Sequence, residues 1–382
     1  MAALRKWQQL ALGEWMRAGN RGIASVVTGG GKTIFALACA EAIQPVTTLV
    51  VVPTQALLDQ WWEEVASYFN LSLDEVHVVT GRRKIRSGTF NLAVLNTAST
   101  FGGTQSCARM LLIVDECHKA ASEKYQSVFM LPRIASLGLS ATPERQYDEG
   151  FSDILIPQLG PVIYNYTYKD ALADGVIVPF SLTNVVFDLE PERQAEFEKL
   201  TKGIAVAMRK YGEEAPETIA LLLKRSRVVN LSLNRIELAV RLVVRHRGTK
   251  TIVFHEDIAA CDVLHEALKS IGVRCDVYHS GRGLRDRAAI LLRFRKGDCD
   301  VLVTCRALDE GFNVPEAEIG IIAASTATRR QRIQRLGRVL RPAGGKKSAT
   351  VYTLVATESE IARLQQEEVE LEGVAATTWR RA

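Results

Sequence analysis

The chain has 382 residues, 47% of them hydrophobic and 24% charged, which is ordinary for a globular protein and long enough for two cores. No apolar run approaches the roughly 18 residues that a membrane span needs, and the amino terminus lacks the apolar stretch of a signal peptide. Seven scattered cysteines without a CxxC pair argue against a disulfide framework, a zinc ribbon and an iron–sulfur cluster. We therefore expect a cytoplasmic protein that makes no membrane contact.

The first part of the chain alternates short β-branched runs with helical patterns. The runs that predict buried strands are residues 22–27, 47–52, 91–95, 110–114 and 136–139. Helical stretches such as KTIFALACAEAI and QALLDQWWEEVASYF lie between them. This alternation predicts a mostly parallel sheet with helices on both faces.

A glycine-rich segment, SVVTGGGKT, follows the first predicted strand and precedes a helix. Its end matches the phosphate-binding pattern G-x-x-x-x-G-K-[ST], although Val26 occupies the leading glycine position. In such a loop backbone N–H groups close on phosphate oxygens, Lys32 reaches the β- and γ-phosphates, and Thr33 binds Mg²⁺. An ordinary glycine-rich turn is the alternative, and the Lys-Thr pair at the correct spacing disfavours it.

An acidic pair ends the predicted strand at 110–114. Ligands of open α/β sheets bind beside the carboxyl ends of the strands. We expect Asp115 to hold Mg²⁺ and Glu116 to activate the attacking water.

The alternation stops near Pro143 and restarts near Gly248. Between them, GVIVPFSLTNVVFDL predicts an extended crossing, and charged helical segments follow it. The second set of predicted strands comprises residues 250–254, 273–278, 300–304, 318–324 and 349–355. We therefore expect a domain at 1–145, a partly helical connection at 146–248, a second α/β domain at 249–357 and a carboxyl-terminal tail at 358–382.

A basic block lies in the second domain. Residues 319–357 contain eight basic residues and no acidic residue, a distribution that favours phosphate contact. Within it, QRLGRVLR places Gln334, Arg338 and Arg341 on one face of a predicted helix. An arginine that faces a γ-phosphate stabilises transition-state charge.

Three elements together resemble the superfamily 2 helicases and translocases of the DExH type. They are the loop from Thr28 to Thr33, the DECH box from Asp115 to His118, and the Ser140-Ala141-Thr142 element. The family's loop commonly lacks the leading glycine, so Val26 is compatible with it. The segments LGLSATPER, GVIVPF and QRLGRVLRP most resemble XPB-like DNA helicases and related phage and restriction-type translocases. The resemblance spans about residues 4–355.

The resemblance implies two RecA-like domains that clamp ATP and Mg²⁺ and move on DNA, single- or double-stranded. It implies nucleotide contacts from Arg5, Gln8, Thr28, Gly29, Gly30, Gly31, Lys32, Thr33, Gly311 and Asn313, and catalytic roles for Lys32, Glu116, Gln334, Arg338 and Arg341. His118, Ser140 and Thr142 would couple the nucleotide site to movement. Pro53, Thr54, Thr304 and either Asn96 or Thr97 would contact nucleic acid. Asn313 departs from the Asp of many relatives, which leaves its role less defined.

Two other functions stay open at this point. The core motifs do not exclude an RNA helicase, although DECH differs from the DEAD box of the best-known RNA helicases. The chain also fits a motor or binding subunit that needs a protein partner, with little activity alone. A small-molecule P-loop kinase or GTPase would leave the second α/β half unexplained.

Overall fold

The computed structural model describes residues 3–80, 84–101, 109–141, 150–305, 317–324, 339, 346–371 and 373–382. Six predicted site residues lie outside the described residues: Thr142, Gly311, Asn313, Gln334, Arg338 and Arg341. The chain divides between Val176 and Ile177 into two compact units.

The first unit is built on a seven-stranded sheet in which every strand pair is parallel. Its strands are β1 (Arg21–Val26), β2 (Thr47–Val52), β3 (His77–Val78), β4 (Phe90–Val94), β5 (Met110–Asp115), β6 (Ala135–Ser140) and β7 (Val162–Tyr166). Their order across the sheet is β3-β4-β2-β5-β6-β1-β7. All six residues of β2, β5 and β6 are buried, as expected for strands covered on both faces.

Helices connect these strands. They are α1 (Lys6–Arg17), α2 (Lys32–Ile43), α3 (Gln55–Phe69), α4 (Leu95–Ala98), α5 (Ile156–Leu159) and α6 (Tyr168–Ala173). Short 3₁₀ segments cover Leu73–Glu75, Cys117–Ala120 and Glu123–Met130, and a π turn covers Phe151–Leu155. Residues 35–40 of α2 are all buried, so this helix is enclosed on every side rather than amphipathic.

The second unit also contains a seven-stranded sheet with only parallel pairs. Its strands are β8 (Phe180–Val186), β9 (Thr251–His255), β10 (Cys275–Tyr278), β11 (Val301–Cys305), β12 (Ile319–Ile322), β13 (Ala349–Val355) and β14 (Ala376–Arg381). Their order is β10-β11-β9-β12-β13-β8-β14. The helices described in this unit are α7 (Pro191–Tyr211), α8 (Pro216–Asn230), α9 (Leu233–Arg245), α10 (Ile258–Ser270), α11 (Leu284–Lys296) and α12 (Glu358–Glu370). The α/β prediction of two parallel sheets is confirmed.

The boundaries of the units differ from the predicted domains. The segment predicted as a connection contributes β7 to the edge of the first sheet and β8 to the second sheet. The predicted tail forms α12 and the edge strand β14, which pairs with β8. Backbone pairing therefore incorporates both segments into the sheets.

The helices α7 and α8 form a long antiparallel pair that packs mainly on itself. Their sequences mix charged and apolar residues, and none of the helices in the described ranges has a stretch long and apolar enough to span a bilayer.

Candidate functional site

The glycine-rich loop joins β1 to α2 in a conformation that requires glycine. Gly29 and Gly31 have φ of 85° and 98°, in the left-handed region that glycine enters without steric cost. A Cβ atom on Gly30 would lie 2.6 Å from Val26 Cγ1. No side chain caps α2, which begins at Lys32, so its first turn is suited to an anion.

The segment before α1 holds this loop by its carbonyl groups. Arg5 Nη1 and Trp7 Nε1 donate to the carbonyl of Gly30, at 2.8 and 3.2 Å, and Gln8 Nε2 donates to the carbonyl of Gly31 at 3.0 Å. The Gln8 side chain is 2% exposed, and its Oε1 also accepts a hydrogen bond from the Arg5 backbone. Arg5 and Gln8, two of the residues expected to contact the nucleotide, thus lie directly against the phosphate loop.

An aromatic cluster that the sequence analysis missed supports the loop from the other side. The Trp7 ring stacks on Tyr166 of β7 with a centroid distance of 4.9 Å and lies 5.5 Å from Phe35 of α2. Tyr166 also donates a hydrogen bond to Asp174. The alternating tyrosines of VIYNYTYKD are a signal of a half-buried strand, and they could have indicated β7.

The DECH box lies against the phosphate loop. Lys32 Nζ is 3.1 Å from Glu116 Oε1, and both side chains are about 85% buried. Burial disfavours the Lys32 charge, but the carboxylates of Glu116 and Asp115 outweigh it and raise the pKa of Lys32 above its ordinary value. The structure therefore brings together the predicted phosphate-binding lysine and the two predicted acidic residues.

Asp115 ends β5 and is 6% exposed. Its Oδ1 accepts from the Glu116 backbone at 2.9 Å, and its Oδ2 accepts from Trp61 Nε1 at 2.8 Å. Burial raises the pKa of Asp115 to about 6, while Lys32 acts in the opposite direction. Glu116 follows with φ of 48°, a backbone conformation that is uncommon for a residue with a Cβ atom and is often found at functional sites.

His118 connects the DECH box to β6. Its Nδ1 lies 2.9 Å from Ser140 Oγ and 3.4 Å from Glu116 Oε2, and both His118 and Ser140 are fully buried. Two of the three residues predicted to couple the nucleotide site to movement are therefore in contact.

The residues present fit a nucleotide with Mg²⁺. The hydroxyl of Thr28 is buried and has no hydrogen-bond partner among the described residues, so it remains available to a ligand. Magnesium is commonly held in nucleotide sites by one or two protein oxygens together with phosphates and water. Thr33, which follows Lys32 in the first turn of α2, and Asp115 would supply such oxygens.

The predicted nucleic-acid contacts lie on different elements. Pro53 and Thr54 follow β2, and Thr54 Oγ1 caps α3 by accepting from the Leu57 backbone at 3.4 Å. Thr97 is half-buried in α4.

Of the other two residues in this predicted set, Asn96 is hydrogen-bonded within the protein, whereas the Thr304 hydroxyl has no hydrogen-bond partner among the described residues. The exposed Asn96 accepts a hydrogen bond from Tyr125. Thr304 is fully buried in β11, so a phosphate could reach it only if its neighbours moved. Its contact with nucleic acid stays a prediction.

Comparison with known proteins was consistent with this geometry. The family described as "Type III restriction enzyme, res subunit" matches residues 1–145, and the "Helicase conserved C-terminal domain" matches residues 234–343. The DNA 3'-5' translocase XPB2 of Sulfurisphaera tokodaii is 29% identical over 362 residues, which cover 88% of this chain and 78% of that protein. The DNA 3'-5' helicase XPB of Mycobacterium tuberculosis is 27% identical, with 93% of this chain and 61% of that protein covered.

Solved structures support the fold. The helicase domain of Pyrococcus furiosus Hef aligns with a TM-score of 0.58 at 18% identity, covering 96% of this chain and 98% of that chain. The DNA-bound Type ISP restriction-modification enzyme LlaBIII aligns with a TM-score of 0.67 at 14% identity, covering all of this chain and 31% of that one.

Proposed function

We propose that this chain is a superfamily 2 helicase or translocase of the XPB-like kind that couples ATP hydrolysis to movement on DNA. The observation that carries the proposal is the buried cluster of Lys32, Glu116 and Asp115 beside the glycine loop. Matches to XPB helicases and translocases support the choice of DNA. Because the chain spans only about 60% of several of these relatives, the activities of the whole relatives are carried over here as part of the proposal.

The contact between Lys32 and Glu116 suggests how the Glu116 carboxylate is held before ATP binds. An incoming γ-phosphate competes for the Lys32 ammonium, since three phosphate oxygens attract it more strongly than one carboxylate does. Glu116 is then released to accept a proton from the attacking water.

The other residues bind and orient the nucleotide. The N–H groups of residues 29–33 cradle the phosphates, and Arg5 and Gln8 hold the loop while they approach the base. When bound, Mg²⁺ at Thr33 and Asp115 would neutralise phosphate charge. His118 links Glu116 to Ser140 through its Nδ1 atom, which lies near both side chains. Gln334, Arg338 and Arg341 remain the predicted contribution of the second unit.

The proposal is tested by steady-state ATP hydrolysis with no nucleic acid, single-stranded DNA, duplex DNA or RNA. We expect strong stimulation by DNA and a loss of roughly 10²–10³ in rate for Lys32→Ala, because a preorganised charge on the phosphates is removed. Lys169→Ala, which removes an exposed lysine of the same unit, is the control. Stimulation by RNA alone would overturn the choice of DNA.

A protein partner is the second part of the proposal. Relatives in Arabidopsis thaliana are named as subunits of general transcription and DNA repair factor IIH, and this chain covers 47% of them. Hydrolysis that stays negligible on every polymer with the isolated chain would favour a partner-dependent motor over an autonomous one.

A further inference from the structure

Trp61 makes a polar contact inside the nucleotide site that the motifs do not include. It belongs to α3 and is fully buried, and its indole N–H donates to Asp115 Oδ2 at 2.8 Å. A donor that fixes a metal-binding carboxylate is usually as important for the metal as the ligand is. The Glu116 backbone holds one oxygen of Asp115, and the other accepts from Trp61. Trp61 is therefore the donor from another element that sets the orientation of the Asp115 carboxylate.

The same tryptophan belongs to the helix that starts at a predicted nucleic-acid contact. Thr54 is the amino-terminal cap of α3, and Trp61 follows seven residues later. Residues seven apart lie on the same side of a helix, about 10 Å apart along its axis. The Thr54 hydroxyl accepts from the helix backbone, which leaves its own proton available for a phosphate oxygen.

We propose that Trp61 is a positioning residue that links nucleic-acid contact at the start of α3 to the orientation of the Asp115 carboxylate. A shift of α3 when Thr54 binds a phosphate moves the indole, and the hydrogen bond carries that shift to Asp115. This inference rests on the proposed function, because it gives a route by which DNA stimulates hydrolysis.

A comparison with the neighbouring tryptophan, Trp62, distinguishes this positioning role from a role in packing alone. Trp62 lies on the same helix but is only partly buried, and its indole N–H donates to the carbonyl of Leu73, away from the DECH box. Trp61→Phe and Trp62→Phe therefore make the same chemical change on the same helix. Only the first removes a donor from Asp115.

The first test observes the indole directly in the nucleotide-free protein. The chain has five tryptophans, so a ¹⁵N-labelled sample gives up to five indole signals, and the two variants identify those of Trp61 and Trp62. We expect duplex DNA to shift the Trp61 signal by clearly more than the Trp62 signal, because only the Trp61 indole donates to Asp115. The proposal is overturned if the Trp61 signal does not shift at DNA concentrations at which fluorescence anisotropy shows that DNA is bound. The shift itself is read in the wild-type chain, and if Trp61→Phe folds poorly, the Trp61 signal is assigned by elimination from single Phe variants at the other four tryptophans.

The second test measures magnesium dependence. We expect Trp61→Phe to raise the Mg²⁺ concentration needed for half-maximal ADP binding by roughly 10- to 100-fold, as for other partners of metal ligands. The affinity of Trp61→Phe for ADP in EDTA, measured by calorimetry, should equal that of the wild type. Trp62→Phe should match the wild type both with Mg²⁺ and in EDTA. A Mg²⁺ dependence of Trp61→Phe within twofold of the wild type would contradict the positioning role.

Hydrolysis then distinguishes this inference from the proposed function. Both the proposed function and this inference are supported if DNA stimulates hydrolysis in the wild type and in Trp62→Phe, and if this stimulation is at least about tenfold smaller in Trp61→Phe. Full stimulation in Trp61→Phe would overturn this inference alone. No stimulation in the wild type would overturn the autonomous DNA-stimulated motor, and the inference with it.

Discussion

Arg235 of α9 is a fully buried cation whose removal should destabilise the second unit. Its Nη1 donates to the carbonyls of Ala323 and Leu354 at 2.6 and 3.1 Å, and its Nη2 lies 3.1 Å from Glu360 Oε1. Burial disfavours the Glu360 charge, but Arg235 and nearby backbone N–H groups outweigh it and lower the pKa of Glu360. Arg235→Met replaces the aliphatic part of the side chain with an unbranched apolar chain and removes every one of these donors.

The expected loss follows from what remains around Glu360. Removing one partner of a buried ion pair typically costs 3–5 kcal/mol, because the other charge is left uncompensated. Glu360 keeps hydrogen bonds from the backbone N–H groups of Ala356 and Thr357 at 2.9 and 3.1 Å, so the lower end applies. We expect a free energy of unfolding reduced by about 3 kcal/mol, a large part of the 5–15 kcal/mol typical of a domain.

Urea unfolding followed by far-ultraviolet circular dichroism measures this loss. Arg241→Met, an exposed arginine on the same helix, should change the free energy of unfolding by less than about 0.5 kcal/mol. The double variant with Glu360→Gln should lose less than the sum of the two single variants, since the pair is coupled. If Arg235→Met is no less stable than Arg241→Met, the reasoning about the buried pair is refuted.

Two further changes test other features of the fold. Burial lowers the pKa of His255 from 6.5 to about 4, so the folded state is more stable by up to about 3 kcal/mol above pH 6.5, and this stability is lost as the pH falls towards 4. His255→Asn should therefore reduce the change of the urea midpoint with pH between those values. A midpoint that changes with pH as steeply as in the wild type would contradict this. Gly30→Ala places a Cβ 2.6 Å from Val26 Cγ1 and should weaken calorimetric MgADP binding at least about tenfold, whereas Gly13→Ala in α1, with only Arg17 3.6 Å away, should leave binding unchanged.

The strands with strong apolar runs were predictable, and three edge strands were not. The predicted strands 47–52 and 349–355 coincide with β2 and β13. β3 has only two residues, and β7 and β14 are partly exposed at the sheet edges, so they lack a continuous apolar pattern. Their position depends on pairing with β4, β1 and β8 rather than on their own composition.

The chemical groups of the site were predictable from the sequence, but the contacts that hold these groups in place were not. The sequence analysis placed Lys32 at the end of the glycine-rich loop and Asp115 and Glu116 at the end of a buried strand, and the structure brings them together. The contacts of Trp7 with the loop and of Trp61 with Asp115 span 23 and 54 residues of chain. Such contacts depend on how helices pack, which local spacing does not encode. The left-handed backbone of Glu116 is likewise visible only in three dimensions.

The central claim, that ATP hydrolysis drives movement on DNA, is tested most directly by displacement of the third strand from a DNA triplex on a duplex track. We expect the wild-type chain to displace it with ATP and Mg²⁺ but not with a non-hydrolysable analogue. Lys32→Ala should fail under both conditions, and Lys169→Ala should match the wild type. DNA-stimulated hydrolysis at full rate in the wild type with no displacement of the third strand would contradict the account.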